Sequence, residues 1–142
     1  MTNAELEKLD DAGMTAWDSH DVDGFVALFA DEFVWLDDTV ATPMRSAEEI
    51  RQYMAAWYTA FPDLRTHTTN RVIGEDSVAA ELVFTGTNTG PMAMGGQEIP
   101  ATGKAVTGRG CYFARARNGK IVEFHSHPDV AGLMMQLGLL PS

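Results

Sequence analysis

Lys104-Ala-Val-Thr-Gly-Arg-Gly-Cys-Tyr-Phe-Ala-Arg-Ala-Arg-Asn-Gly-Lys-Ile-Val-Glu-Phe-His-Ser-His-Pro-Asp129 reads as two long strands folded back on each other. The pair Asn118-Gly119 at its middle is a strong hairpin signal, because a two-residue turn needs positive φ at both positions and these residues tolerate it. The strands then run over about 104–117 and 120–127. Successive side chains of a strand point to opposite faces. His125, His127 and Asp129 therefore share one wall if the strand runs as far as Asp129. Two imidazoles and a carboxylate on one wall make a proton-handling group rather than plain scaffold.

Outward from this hairpin, residues 65–74 and 77–87 also read as strands. The N-terminal half is different. Leu6, Leu9, Gly13, Met14 and Trp17 recur at helical spacing and predict a helix over 3–18. Asp21 is placed to cap a second helix, 22–29, with Phe25, Leu28 and Phe29 on its apolar side. A strand over 32–37 puts Phe33, Trp35 and Asp37 on one face. Ser46 with Glu49 is a capping-box pattern that opens a third helix, about 47–60, with Ile50, Met54 and Trp57 as its stripe and Pro62 as its stop. The Gly-, Pro- and Met-rich stretch 87–102 reads as a long excursion, and loops of that length often carry function. The apolar tail 130–140 fits a short helix over an open end of the sheet.

Helices followed by a run of antiparallel strands predict an α+β architecture: three N-terminal helices packed on a curved, mostly antiparallel sheet that encloses a pocket. The 142 residues fit a single domain, 1–142. The net charge of −10 argues against nucleic acid and against an anionic membrane surface as partners. Cys111 is the single cysteine, which fits a reducing compartment. No signal-peptide pattern and no apolar run of roughly 18 residues is visible, so a cytoplasmic location is expected.

Asp129 follows Pro128 and has two readings, an acid/base group raised by burial or the N-cap of the tail helix. His127, one pleat away, can relay a proton or hold a carbonyl, or simply sit half-buried at a cavity mouth. Asp37 is either a second inward carboxylate or a strand-end turn residue. His125, Trp35, Arg109, Cys111 and Phe113 are candidates for the pocket wall. Met92 and Met94 are candidates for a flexible apolar lid. His-x-His-x-Asp also has the spacing of a metal-ligand cluster, but no Cys pair or His-Glu-x-x-His helix supports it, and no metal is expected.

The run Asp21-Val-Asp-Gly-Phe-Val-Ala-Leu-Phe-Ala-Asp-Glu32 looks like the opening of NTF2-like cone folds. Phe84-Thr-Gly-Thr-Asn-Thr-Gly90, Ile99-Pro-Ala-Thr-Gly-Lys104, Asn118-Gly-Lys-Ile-Val-Glu123, Asp129 and Gly132-Leu-Met-Met-Gln-Leu-Gly138 resemble the SnoaL-like polyketide cyclases, over about residues 5–140. The resemblance implies a cofactor-independent aldol-type ring closure with Asp129 as acid/base and a small, largely apolar carbonyl compound as substrate. It also implies a homodimer through the exposed sheet face. His125 stands where such cyclases commonly carry an aromatic residue. The chain is similar, more distantly, to ketosteroid isomerases, whose general base falls at Asp37 while their oxyanion donors fall at Gly13 and Cys111. It also resembles limonene-epoxide hydrolases, whose Arg-x-Asp falls at Arg109-Gly-Cys111. An isomerase, an epoxide hydrolase and a non-catalytic ligand-binding domain are the alternatives.

Overall fold

A computed structural model describes residues 1–94 and 96–140. Its elements run α1 (Asn3–Asp18), α2 (Val22–Val26), β1 (Phe29–Asp37), α3 (Ala47–Ala60), β2 (Arg65–Ile73), β3 (Ser77–Thr87), β4 (Met92–Met94), β5 (Gln97–Ile99), β6 (Ala105–Arg117), β7 (Lys120–Pro128) and α4 (Val130–Gln136). The mixture is α+β with a curved, unclosed sheet. The three N-terminal helices are joined by α4 at the other end of the chain.

Local chemistry explains the helix starts. Thr2 and Glu5 form a reciprocal capping box on α1, with Glu5 N–H donating to Thr2 Oγ1 at 3.1 Å. Ser46 receives Glu49 N–H at 3.2 Å and starts α3. In return, the Thr2 N–H and hydroxyl donate to the Glu5 carboxylate and the Arg45 N–H and Ser46 hydroxyl donate to that of Glu49, which holds both carboxyls below the usual carboxylate range. The short α2 is capped by Asp21 and ends at Val26, three residues before the predicted end. Phe29 instead opens β1 and pairs with Ile121. Leu28 carbonyl accepts the Ile121 N–H at 2.9 Å, so sheet pairing overrides helical periodicity there.

The five-stranded sheet has the order β1-β7-β6-β3-β2. The pairs β2·β3, β3·β6 and β6·β7 are antiparallel. The β1·β7 pair is parallel and sets Trp35 beside Phe124 and Asp37 beside Ser126. Asn118 and Gly119 turn the β6–β7 hairpin at φ 53° and 80°, the positive values such a turn requires. Within the excursion 87–102, β4 and β5 pair antiparallel as a separate two-stranded sheet.

Helices α1–α3 lie against one face of the sheet. Phe25, Phe29, Phe33, Trp35, Met44, Ile50, Met54 and Ile121 form one core cluster there. Burying each such side chain is worth about 1.5–3 kcal/mol. Phe61, Leu64, Phe84, Val106, Leu133 and Leu137 form a second cluster beneath α4. Gln136 docks that helix onto β6 by accepting from Thr107 N–H and donating to Thr107 carbonyl, each at 2.8 Å. Asn88 is fully buried and pins the excursion. Its amide donates to Ala60 and Gly90 carbonyls at 3.1 and 3.0 Å, and its Oδ1 accepts from Thr102 N–H and hydroxyl, both at 2.9 Å. Among the described residues, no buried side-chain nitrogen or oxygen is left without a partner. No described helix is long and apolar enough to cross a membrane.

Candidate functional site

Strand parity divides the sheet residues into two sets. On β6, Val106, Gly108, Tyr112, Ala114 and Ala116 are buried, while Arg109 and Cys111 are exposed. Register then carries this division to β7: Phe124 and Ser126 lie opposite Ala114 and Tyr112, whereas His125 and His127 lie opposite Phe113 and Cys111. The helices cover the first set. The second forms the outer face.

Between helices and inner face lies a chamber of about 90 Å³. Trp17, Phe25, Trp35, Trp57, Phe84 and Phe124 supply much of its wall. Tyr53 and Ser126 also line it, and both are tied to one carboxylate. Asp37, only 7% exposed, receives the Tyr53 hydroxyl at 2.7 Å and the Ser126 hydroxyl on Oδ2. Its Oδ1 receives the Thr39 N–H at 2.7 Å and the Thr39 hydroxyl. Trp35 Nε1–H donates to Ser126 Oγ at 2.8 Å. Burial, and then the negative charge of Asp37, push the Tyr53 phenol well above its ordinary value of 10. Tyr53 is therefore a neutral O–H donor at physiological pH.

Three elements build this arrangement. The parallel register brings Asp37 alongside Ser126 at the ends of β1 and β7. Tyr53 comes from α3, three residues after buried Ile50 and four before Trp57, on the side of the helix that meets the sheet. Trp35 is fixed by ring contacts to Tyr53 and Phe124, each with centroids 4.8 Å apart.

Asp37 and Trp35 thus sit inside, as the alternation of β1 predicts. Asp129 does not turn into the chamber. It is exposed and caps α4, accepting Gly132 N–H at 2.9 Å, while its own N–H donates to Arg109 carbonyl at 2.8 Å. The shared wall of His125 and His127 exists, but it is the outer one. His125 Nε2 stands 3.1 Å from Glu123 Oε1, and its ring lies 5.9 Å from that of Phe113. His127 Nδ1 lies 3.0 Å from both oxygens of Asp38 and is about half exposed. His127 and Cys111 border the chamber's margin from that outer strand region. Arg109 and Phe113 point away from the chamber with them. Met92 is not a lid residue: it is 5% exposed and packs in the cluster with Ala60 and Phe61. Met94 belongs to β4 by its backbone, and its side chain lies outside the described residues.

Tyr53 and Ser126 were not among the residues expected from sequence. Each carried a readable signal. Tyr53 belongs to the Ile50–Trp57 stripe, and Ser126 has the parity of Phe124. Among the described residues, no group of three His, Cys, Asp or Glu side chains is placed to hold a metal ion.

The model of the SnoaL-like polyketide cyclase family matches residues 8–137. Among solved structures, AclR from Streptomyces galilaeus, described as a candidate hydroxylase, is 26% identical with a TM-score of 0.84, covering 99% of this chain and 85% of its own. TsrD from Streptomyces laurentii is 23% identical with a TM-score of 0.82 and 99% coverage of both chains. IdmH from Streptomyces antibioticus, described as a candidate polyketide cyclase, is 24% identical with a TM-score of 0.77, covering 93% of this chain and 97% of its own. A search of curated proteins gave no match. With the family model spanning nearly the whole chain and the same fold in these structures, this chain belongs to the SnoaL-like polyketide cyclase family.

Proposed function

We propose that the protein catalyses acid/base chemistry next to the carbonyl of a small, largely apolar compound, as an aldol-type cyclase would. The observation that carries this reading is the buried Asp37 carboxylate behind two chamber-lining hydroxyls, Tyr53 and Ser126. The aromatic wall excludes water and strengthens electrostatic interactions inside it.

The proton would leave the carbon beside the carbonyl for Ser126 Oγ as the Ser126 proton moves to Asp37. Protonated Asp37 no longer needs both hydroxyls as donors. Tyr53 O–H is then released to the developing enolate oxygen, an oxyanion-type stabilisation. The enolate can attack a second carbonyl of the same molecule, which is the carbon–carbon bond of an aldol closure. That attack leaves an alkoxide on the second carbonyl oxygen, and return of the proton from Asp37 through Ser126 to this oxygen completes the cycle.

The test is carbon-bound proton exchange in deuterated water, followed by proton NMR, with 2-indanone and 2-tetralone as probes. The wild type should exchange the protons beside the carbonyl faster than buffer, and Asp37→Asn should return the rate to that of buffer. Equal rates for wild type and Asp37→Asn would reject the reading.

A second reading, a binding protein for a small apolar ligand, is favoured by the saturation of Asp37 with four hydrogen bonds. Ligand uptake unaffected by Asp37→Asn, with no exchange activity in either form, would select it. We further propose a homodimer through the outer sheet face, where Leu36 and Val72 are 41% and 64% exposed. Light scattering on the purified chain tests that assembly. A cytoplasmic location remains part of the proposal and is checked by cell fractionation.

A further inference from the structure

A second cavity, of about 250 Å³, lies on the other side of Tyr53 and Trp57. Both residues border it as well as the aromatic chamber. Its other lining residues include Thr39, Val40, Met44, Ala56 and Met92. Thr39 is the residue that matters. It is half-buried, and its N–H and hydroxyl both go to Asp37 Oδ1. The two oxygens of one buried carboxylate are therefore held differently. Oδ1 is held by Thr39, which lines the second cavity and not the chamber, while Oδ2 is held by Ser126, which lines the chamber and not the second cavity, and by Tyr53, which borders both.

For solvent deuterium to reach a carbon beside a bound carbonyl by way of Asp37, this buried acid must exchange protons with water by some path. A substrate in the chamber would close the path through Ser126. We propose that Asp37 exchanges protons with bulk water through the second cavity, by way of the Thr39 hydroxyl. Thr39 is here a positioning residue that acts through Asp37, and no ligand other than water is assigned to the cavity. In the step, the protonated carboxyl group rotates about its Cβ–Cγ bond, which turns the proton-bearing oxygen from Ser126 toward Thr39, and its O–H bond then breaks as one forms on Thr39 Oγ. The Thr39 hydroxyl proton passes at the same time to water in the cavity. One proton leaves, only O–H bonds change, and Asp37 is again a carboxylate. Its importance for turnover rests on the acid/base reading above, but the path itself belongs to the resting protein and is measurable without a substrate.

The experiment is hydrogen–deuterium exchange of the tyrosine hydroxyls, read from the deuterium isotope shift on each ring carbon that bears the oxygen. The chain has three tyrosines. Tyr53 donates to Asp37, while Tyr58 and Tyr112, bonded to Trp17 carbonyl and Asp10, are internal controls. Thr39→Val removes the relay and should slow Tyr53 exchange about tenfold or more while the controls keep their rates. Ala56→Phe, which fills the second cavity, should do the same. Leu82→Phe, which fills the chamber, should leave Tyr53 unchanged. Tyr53 exchange that ignores Thr39→Val, whatever Ala56→Phe does, or that slows with Leu82→Phe instead, overturns the path. Because no carbonyl probe is involved, that result would leave the exchange assay of Asp37 to be judged separately.

Discussion

Asp129 holds the amide of Gly132 at 2.9 Å and thereby starts α4. A Cβ on Gly132 would run into the same carboxylate. The two residues form a cap that sits outside the chamber. Asp129→Ala should lower stability by about 1 kcal/mol and Asp129→Asn by only a few tenths, since Asn also caps well. Urea denaturation measures both. Carbon-bound proton exchange on the ketone probes should be the same in Asp129→Asn as in the wild type. Loss of that exchange would return Asp129 to the reaction.

Asn88 has a larger structural effect than any charged residue of the excursion. Asn88→Ala leaves the Ala60 and Gly90 carbonyls and the Thr102 donors without their buried partner. Each abandoned buried group costs about 1–3 kcal/mol, and partial resolvation brings the expected total to roughly 3 kcal/mol. The denaturation midpoint should fall while the slope against denaturant stays constant.

Gly108 lies under the ring of Phe84, which is itself 5% exposed and lines the chamber. A methyl group at 108 has no flexible neighbour to displace. Gly108→Ala should therefore cost about 1–3 kcal/mol by overpacking. It should also tilt the Phe84 ring, which is visible as shifted aromatic resonances of Phe84 and its neighbour Trp57, now 5.7 Å away.

Alkaline pH acts through all three tyrosines. Burial is the leading cause that raises Tyr53, Tyr58 and Tyr112 above 10, with neighbouring carboxylates adding to it. Below about pH 10, both folded and unfolded chains keep these protons and the stabilisation is intact. Above it, the unfolded chain releases them first, so stability falls as pH rises. Tyrosinate absorbance at 295 nm should stay low past pH 10 and then rise together with the loss of near-UV circular dichroism. A gradual rise centred on pH 10 with the fold intact would contradict the enclosed hydroxyls.

Much of this architecture could be read from sequence because its signals are local. The Asn118-Gly119 turn, the Ser46–Glu49 cap and the helical stripe of α1 each act within a few residues. The strand boundaries around them follow. The chamber was harder to read for a different reason. Parity groups His125 with His127 and Phe124 with Ser126, but it does not say which group faces the helices. That choice is made by distant packing, where Phe124 meets Phe25, Phe29 and Trp35. The two histidines drew attention through their chemistry, while the plain hydroxyl of Ser126 lay on the covered side. The parallel pairing that places Asp37 beside Ser126 joins residues 89 positions apart, beyond any local signal. The choice between cap and acid/base group at Asp129 likewise depended on where α4 docks.

The same long-range pairing shapes how the chain is made. β1 is synthesised long before its partner β7. Until then Phe33 and Trp35 lie on a strand with an unpaired edge, a sticky surface during translation. Chains that stop short of residue 120 should accumulate as aggregates or remain with chaperones, and chains that include β7 should gain protease resistance in a single step.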